Sequence, residues 1–150
     1  MTARSGRRLV AAGAAALLAA GCADFTGGTD PTHGLSDIAV SAPVFSVDVQ
    51  PILQRRCATG GCHSPLTHQS GLILTADTAY GALVGRASRL KANAVIVRPG
   101  DPAGSWLLDM VGPDQAKRGL ISRMPLGSGP LTPNQIATIS NWIARGAPRQ

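Results

Sequence analysis

The segment CATGGCHS, residues 57–64, places two cysteines and a histidine close together in the chain. Cys57 and Cys62 could attach a haem through thioether bonds, pair in a disulfide, or join His63 in a metal site. In the haem interpretation, His63 directly follows the second cysteine and would meet the iron through Nε2. The usual attachment motif has two residues between the cysteines, whereas this segment has four. All three chemistries therefore stay open at this point.

The longer gap between the cysteines does not oppose haem attachment. Enlarging a flexible loop by less than a doubling costs under about 0.6 kcal/mol in closure entropy. Gly60 and Gly61 lie in the gap, and we predict that they supply the permissive backbone angles that this loop needs.

A disulfide between Cys57 and Cys62 is the second interpretation. Exported proteins commonly form disulfides, and closing so short a loop would stabilise the fold by roughly 2 kcal/mol. Zinc is less well supported, because a structural zinc site takes four ligands. Around this segment the sequence offers only these two cysteines, His63 and the more distant His68.

A haem iron would also need an axial ligand from its other side, which is normally Met or His. Met124 is the candidate, because it lies in the sequence RMP within a loop rich in Gly and Pro. We expect Met110 to be a core residue of its own helix. His68 follows His63 so closely that it is expected on the same side of the haem or in solvent.

Helices must position these residues. The sequence FSVDVQPILQRRC, residues 45–57, has apolar residues at helical spacing, with Ser46 or Asp48 as candidate N-cap, and predicts a helix that ends at Cys57. The sequence DPAGSWLLDMVG predicts another helix, which begins near Pro102 and carries Trp106 on its apolar side. The short β-like runs in GLILT and AVIVRPG precede it.

The clearest element is a helix near the end of the chain. Thr132 and Gln135 have the spacing of a capping box, Pro133 suits the first helical position, and Gly146 suits the end. Its predicted buried stripe contains Ile136, Ile139, Ile143 and Trp142.

The N-terminus is typical of an exported lipoprotein. Residues 1–21 combine three arginines with an Ala/Leu run, and the sequence LAAG before Cys22 resembles a lipobox, so Cys22 is the candidate for lipidation. The alternative is an ordinary cleaved signal with Cys22 nearby. Residues 22–43, rich in Gly, Thr, Asp and Pro, are predicted to form a flexible tether, and residues 44–150 the folded domain.

The charge balance gives no support for a nucleic-acid partner. The formal net charge is +6, and it falls to +3 without the signal peptide, because residues 1–21 contain three arginines and no acid. The chain also lacks a run of Lys and Arg interleaved with aromatic residues.

Four segments together resemble small exported mono-haem c-type cytochrome domains, especially the planctomycete-type family and its bacterial lipoprotein relatives. These segments are FSVDVQPILQRRCATGGCHS, GLILTADTAYGALV, VRPGDPAGSWLL and RMPLGSGPLTPNQIATISNWIARGAP. The resemblance implies a mostly α, class I cytochrome c-like domain with crossing N- and C-terminal helices and long irregular loops. It also implies one covalent haem c, with Cys57 and Cys62 as thioethers, His63 as proximal ligand and Met124 as distal ligand.

These observations favour a haem-binding electron-transfer lipoprotein that is not an enzyme. It would exchange single electrons with unidentified redox proteins, anchored to a membrane through Cys22 and facing the periplasm or the cell exterior. A peroxidase is poorly supported, because di-haem peroxidases need two attachment sites and this chain has one. The alternative is a surface lipoprotein, stapled by a Cys57–Cys62 disulfide, that acts as an interaction module without haem.

Overall fold

A computed structural model describes residues 38–150, and all of the regular structure in this part of the chain is helical. The α-helices are α1 (Gln50–Arg56), α2 (Ala79–Leu83), α3 (Trp106–Val111), α4 (Gln115–Arg118) and α5 (Pro133–Ala144). A π-helical turn, Phe45–Val49, leads into α1, and a 3-10 turn, Gln69–Gly71, follows the cysteine segment. The mostly α prediction is confirmed over these residues. The predicted signal peptide, Cys22 and residues 22–37 of the predicted tether lie outside the described residues.

The predicted β-like runs do not form strands within residues 38–150. They contribute isolated bridges only, which join Val84 with Val97, Ala87 with Val95, and Val95 with Ser105. These bridges hold the loop after α2 against the segment that precedes α3. Long irregular loops between short helices are therefore the dominant feature of the fold.

The first helical segment forms as the sequence predicts, although its start differs. Its apolar residues Phe45, Val49, Ile52 and Leu53 are all buried. The residue at the N-cap position is Val44, so neither Ser46 nor Asp48 occupies it. Asp48, which lies inside the helical turn, instead accepts a hydrogen bond from the Val44 amide at 2.7 Å. This bond satisfies one of the backbone donors that a helix start leaves free.

Helix α5 matches its prediction closely. The Thr132 hydroxyl accepts from the Gln135 amide, and the Gln135 side chain accepts from the Thr132 amide, so both halves of the capping box are present. Ile139, Trp142 and Ile143 are fully buried, whereas Ile136 is partly buried against the core. Gly146 follows the helix with φ +91°, a conformation that glycine adopts without strain.

An aromatic cluster joins the beginning of the domain to α5. The ring centroids of Phe45 and Trp142 are 5.1 Å apart, and those of Phe45 and Tyr80 are 5.2 Å apart in an edge-to-face arrangement. The Trp142 indole donates to the Pro148 carbonyl at 2.8 Å, and the Tyr80 hydroxyl donates to the Ala147 carbonyl at 3.0 Å. The N-terminal helical turn, α2, α5 and the C-terminal residues thus share one packing centre.

Helix α3 begins later than predicted, because a side-chain turn occupies its expected first residues. Asp101 accepts from the Gly104 amide at 2.8 Å, and the Ser105 hydroxyl donates to the Asp101 carbonyl at 2.8 Å. Residues 102–104 therefore form a turn, and the helix starts at Trp106. Trp106 is buried, as the helical pattern predicted.

A buried cation fixes the connection between α3 and α4. The Arg118 guanidinium donates to the carbonyl oxygens of Asp109, Gly112 and Asp114, at 3.1, 2.7 and 2.9 Å, and to the Gln115 side chain at 2.9 Å. Its side chain is enclosed by the carbonyl groups that it satisfies, which offsets part of the cost of burying a charge. No sequence pattern predicted this role for Arg118.

The folded domain extends ahead of its predicted start at residue 44. The Val40 amide donates to the Thr138 hydroxyl at 3.0 Å, and the Asn141 side chain donates to the Val40 carbonyl at 2.8 Å. Pro43 is also buried. The last residues of the predicted tether thus lie against α5. None of the helices in residues 38–150 has the length and apolar character needed to cross a bilayer.

Candidate cofactor site

A cavity of about 570 Å³ brings the predicted site residues together. Its lining includes Cys57, Cys62, His63 and Met124, which come from opposite halves of the domain sequence. The volume lies in the range of roughly 300–1,000 Å³ that is typical of small-molecule and cofactor sites. Most of the remaining wall is apolar and includes Leu72, Leu74, Leu83, Ile96, Trp106 and Leu107.

The cysteine segment is closed by its own backbone. Cys57 ends α1, where its amide donates to the Leu53 carbonyl at 2.8 Å. The His63 amide then donates to the Cys57 carbonyl at 3.0 Å, and the Leu74 amide donates to the His63 carbonyl at 2.8 Å. These bonds tie His63 to the end of α1 and to the segment at Leu74, and both cysteines and His63 line the cavity.

The His63 ring has one nitrogen engaged with the backbone. Nδ1 lies 3.0 Å from the Gln69 carbonyl oxygen, so the Nδ1–H tautomer donates there and leaves the lone pair of Nε2 available. Burial lowers the pKa of His63, while the nearby backbone groups of Gln69 and Leu72 act in the opposite direction. The neutral imidazole, which is the form that binds metals, is therefore favoured near neutral pH.

Both cysteines are free thiols in the structure, and their surroundings differ. Cys57 is only 8% exposed, whereas Cys62 is partly exposed. Burial raises the pKa of Cys57 from 9.0 to about 11, although the neighbouring Arg56 charge lowers it and Cys62 raises it further. At neutral pH the Cys57 thiol is therefore protonated.

In the chain without a bound group, iodoacetamide should alkylate Cys57 much more slowly in the folded state than in denaturant. The thiolate is the reactive form, and a pKa of about 11 instead of 9.0 leaves about 100-fold less of it near pH 8. Peptide mass spectrometry over a time course measures the rate, with the more accessible Cys62 as the internal comparison. Equal rates for Cys57 in both conditions would contradict a buried, protonated thiol.

Met124 reaches the cavity from the loop before α5. Its side chain is partly buried, and its amide donates to the Met110 carbonyl at 2.8 Å, which ties the loop to α3. Met110 is buried, as predicted, but it lies outside the main hydrophobic cluster and lines the same cavity. Two methionine residues therefore line the cavity, and the sequence had singled out one of them as a ligand.

His68 does not contribute to the cavity. It is exposed, does not belong to the lining, and adopts a left-handed backbone conformation with φ +31°. Its exposure agrees with the expectation that it lies in solvent.

Gly60 and Gly61 do not act as predicted. Neither has a positive φ, and a Cβ atom added at either position would meet nothing within 4 Å. The loop therefore reaches its geometry with backbone angles that other residues can adopt. A glycine is required instead at Gly71, where φ is +72° and an added Cβ would collide with the Arg89 guanidinium.

Replacing Gly60 by Ala should consequently change the free energy of unfolding by less than about 0.5 kcal/mol. Gly71→Ala is the matched comparison, and we expect it to cost at least about 1 kcal/mol because of its left-handed backbone. Chemical denaturation followed by circular dichroism measures both variants. A larger loss for Gly60→Ala than for Gly71→Ala would show that the cysteine loop does depend on glycine.

Sequence reasoning missed the charged part of the lining. Arg56, Arg86 and Arg89 line the cavity, and no Asp or Glu does so. The sequence did indicate a basic segment, because every charged residue between Asp77 and Asp101 is basic. What the sequence could not show is that this basic segment lies beside the cysteine loop.

Arg56 also connects the cavity lining to the loop that precedes α5. Its guanidinium donates to the carbonyl oxygens of Ser128, Gly129 and Pro130 at 2.9, 3.1 and 3.2 Å. These carbonyls follow Met124 in the chain, whereas Arg56 immediately precedes Cys57. We call this set of bonds the Arg56 clamp.

Among residues 38–150, no three His, Cys, Asp or Glu side chains form a group that could hold a metal ion.

Comparison of the chain with protein-family models, curated proteins and solved structures gives no match. The functional interpretation therefore depends on the residues and the cavity themselves.

Proposed function

We propose that this protein is a c-type cytochrome that exchanges single electrons through one covalently bound haem. The observation that carries the proposal is the shared lining of one apolar cavity by Cys57, Cys62, His63 and Met124. Two thiols, an imidazole and a thioether form the donor set that a covalently attached, six-coordinate haem requires.

The described residues fit this group chemically. Cys57 and Cys62 are unpaired thiols that would carry the porphyrin through thioether bonds. The Nε2 atom of His63 would bind the iron, because Nδ1 is engaged by the Gln69 carbonyl. Met124 would supply a second ligand to the iron. Haem supplies a reversible one-electron change at its iron, and the protein contributes binding, orientation and exclusion of water.

The proposed role is electron transfer without catalysis. With His63 and Met124 both bound, the iron would keep no free position for a substrate. The apolar wall, which includes Trp106 and Leu107, would shield the group from water and so influence its reduction potential. Redox proteins would then be the partners.

We assign the domain to the class I cytochrome c-like folds. Support comes from its mostly α structure, its long irregular loops, and the contact between Phe45 at the first helical turn and Trp142 on α5. The sequence before the domain supports export and lipidation at Cys22, which would hold the cytochrome at a membrane surface facing the periplasm or the cell exterior.

Expression in a host with periplasmic haem c maturation tests the proposal. We expect a haem stain that survives denaturing electrophoresis, an intact mass increased by one haem, and loss of both in Cys57→Ser/Cys62→Ser. A mass decreased by two hydrogens would instead identify a Cys57–Cys62 disulfide and favour the interaction module. Absence of covalent haem in the matured wild-type protein would reject the cytochrome.

A further inference from the structure

The backbone of His63 is connected to both ends of α1. Its amide donates at 3.0 Å to the carbonyl of Cys57, where α1 ends, and its carbonyl accepts from the Leu74 amide at 2.8 Å. The Leu74 carbonyl in turn accepts from the side chain of Gln50, whose Nε2 atom lies 3.1 Å away. Because Gln50 is the first residue of α1, these three bonds form a path from one end of the helix to the other through His63.

The segment that leads from His63 to Leu74 also contacts the imidazole ring. The Gln69 carbonyl accepts from the Leu72 amide at 3.1 Å and lies 3.0 Å from Nδ1 of His63. This segment therefore contacts His63 twice, at the ring through Gln69 and at the backbone through Leu74. Since Leu74 is buried in the hydrophobic core, whatever fixes Leu74 also fixes the surroundings of the ring.

Gln50 is the side chain that fixes the Leu74 carbonyl. Gln50 is only 7% exposed, and its buried Oε1 atom has no hydrogen-bond partner among residues 38–150. Burying an amide whose oxygen is unpaired costs free energy, and an apolar side chain of the same length would fill this space without that cost. Packing alone therefore does not account for an amide at this position, whereas the bond from Nε2 to Leu74 does.

We propose that Gln50 is a positioning residue for His63, which acts through the Leu74 carbonyl by fixing the segment that holds the imidazole. This inference rests on the proposed function, in which Nε2 of His63 binds the iron and the bond at Nδ1 orients the ring. Gln50 does not line the cavity, so it would not touch the bound group. Helix α1 would then determine both the attachment point at Cys57 and the orientation of the His63 ring.

The test compares Gln50→Met with the wild type in the matured holo-protein. Methionine has about the length of glutamine but no N–H donor, so this variant removes the bond to Leu74 together with the unpaired oxygen. Hydrogen exchange is followed by NMR at the Leu74 amide and at Nδ1–H of His63. Both protons should exchange about tenfold faster than in the wild type, because loss of one buried hydrogen bond makes local opening about tenfold more frequent.

The midpoint potential provides a second readout, and its direction is informative. A weaker bond from Nδ1–H of His63 to the Gln69 carbonyl makes the imidazole a less basic ligand, which favours the ferrous state. Gln50→Met should therefore raise the midpoint potential. A general loosening that admits water would lower it instead, because water stabilises the more highly charged ferric state.

Tyr80→Phe is the matched control. It also removes one hydrogen bond from a side chain to a backbone carbonyl, the 3.0 Å bond to Ala147, and Tyr80 does not line the cavity. Any change common to both variants reflects the overall stability of the domain. Changes at Leu74 and His63 that are no larger in Gln50→Met than in Tyr80→Phe would overturn the positioning role while leaving the cytochrome intact.

The wild type alone supplies a further test, which applies even where Gln50→Met does not mature. The Gln50 side-chain amide, the Leu74 amide and Nδ1–H of His63 should show the same dependence of exchange on denaturant, since the bonds of one cooperative unit open together. Different dependences would contradict the coupling. Wild-type protein without covalent haem would reject the proposed function instead, so the two failures are distinguishable.

Discussion

Replacing Met124 by Ala in the matured protein is expected to abolish the low-spin, Met-ligated haem spectrum. The side chain supplies a thioether from a loop that the Met110 carbonyl fixes to α3, and alanine offers no ligand in its place. His/Met ligation raises the reduction potential of a haem. The midpoint potential of the variant should therefore fall by at least about 59 mV, which is about a tenfold change in the one-electron reduction equilibrium. Visible and near-infrared absorption, with redox titration, measures both effects.

Met110→Ala is the matched control, because Met110 is the other thioether in the cavity lining. We expect it to retain the Met-ligated spectrum and to lose about 2–5 kcal/mol of stability, as removal of a buried methionine side chain does. An unchanged spectrum in Met124→Ala would contradict the ligand assignment. Loss of the signature in Met110→Ala alone would transfer the assignment to Met110.

Trp142→Ala should be the most destabilising single substitution in α5. The indole is fully buried, packs against Phe45 and Tyr80, and donates to the Pro148 carbonyl. Removing a buried tryptophan typically costs about 3–5 kcal/mol, a large part of the roughly 5–15 kcal/mol that stabilises a domain. Denaturant unfolding followed by circular dichroism measures the loss.

Trp142→Phe separates packing from hydrogen bonding. Phenylalanine keeps an aromatic ring near Phe45 but leaves the Pro148 carbonyl without its indole donor, so we expect a smaller loss of about 1–3 kcal/mol. A loss in Trp142→Ala no greater than in Trp142→Phe would mean that the aromatic contacts contribute little. The N-terminal turn and α5 would then be held together by other contacts.

The parts of the fold that the sequence predicted well depend on local signals. Helix α5 was predictable because Thr132, Pro133 and Gln135 determine its start within four residues. The start of α3 was not, because Ser105 also accepts a hydrogen bond from the Arg98 amide at 2.9 Å. A helical pattern cannot reveal that a side chain is already engaged with a preceding segment.

The same distinction applies to the site. Cys57, Cys62 and His63 were identified because they lie close together in the chain. Met124 was identified by its loop and by the resemblance to a known family. All four residues line one cavity. The arginines were missed because their position depends on how the loop after α2 folds back. The prediction for Gly60 and Gly61 was wrong because glycine composition does not determine which glycine adopts a left-handed conformation.

The Arg56 clamp also has a consequence for the order in which the domain folds. It joins residues 72 to 74 positions apart, so it forms only after a long loop has closed, whereas the turn that contains Cys57, Cys62 and His63 is local. Contacts at such separation generally form late, because their loop entropy must be overcome first. We therefore expect the segment with Cys57, Cys62 and His63 to stay accessible during folding until the Met124 loop docks.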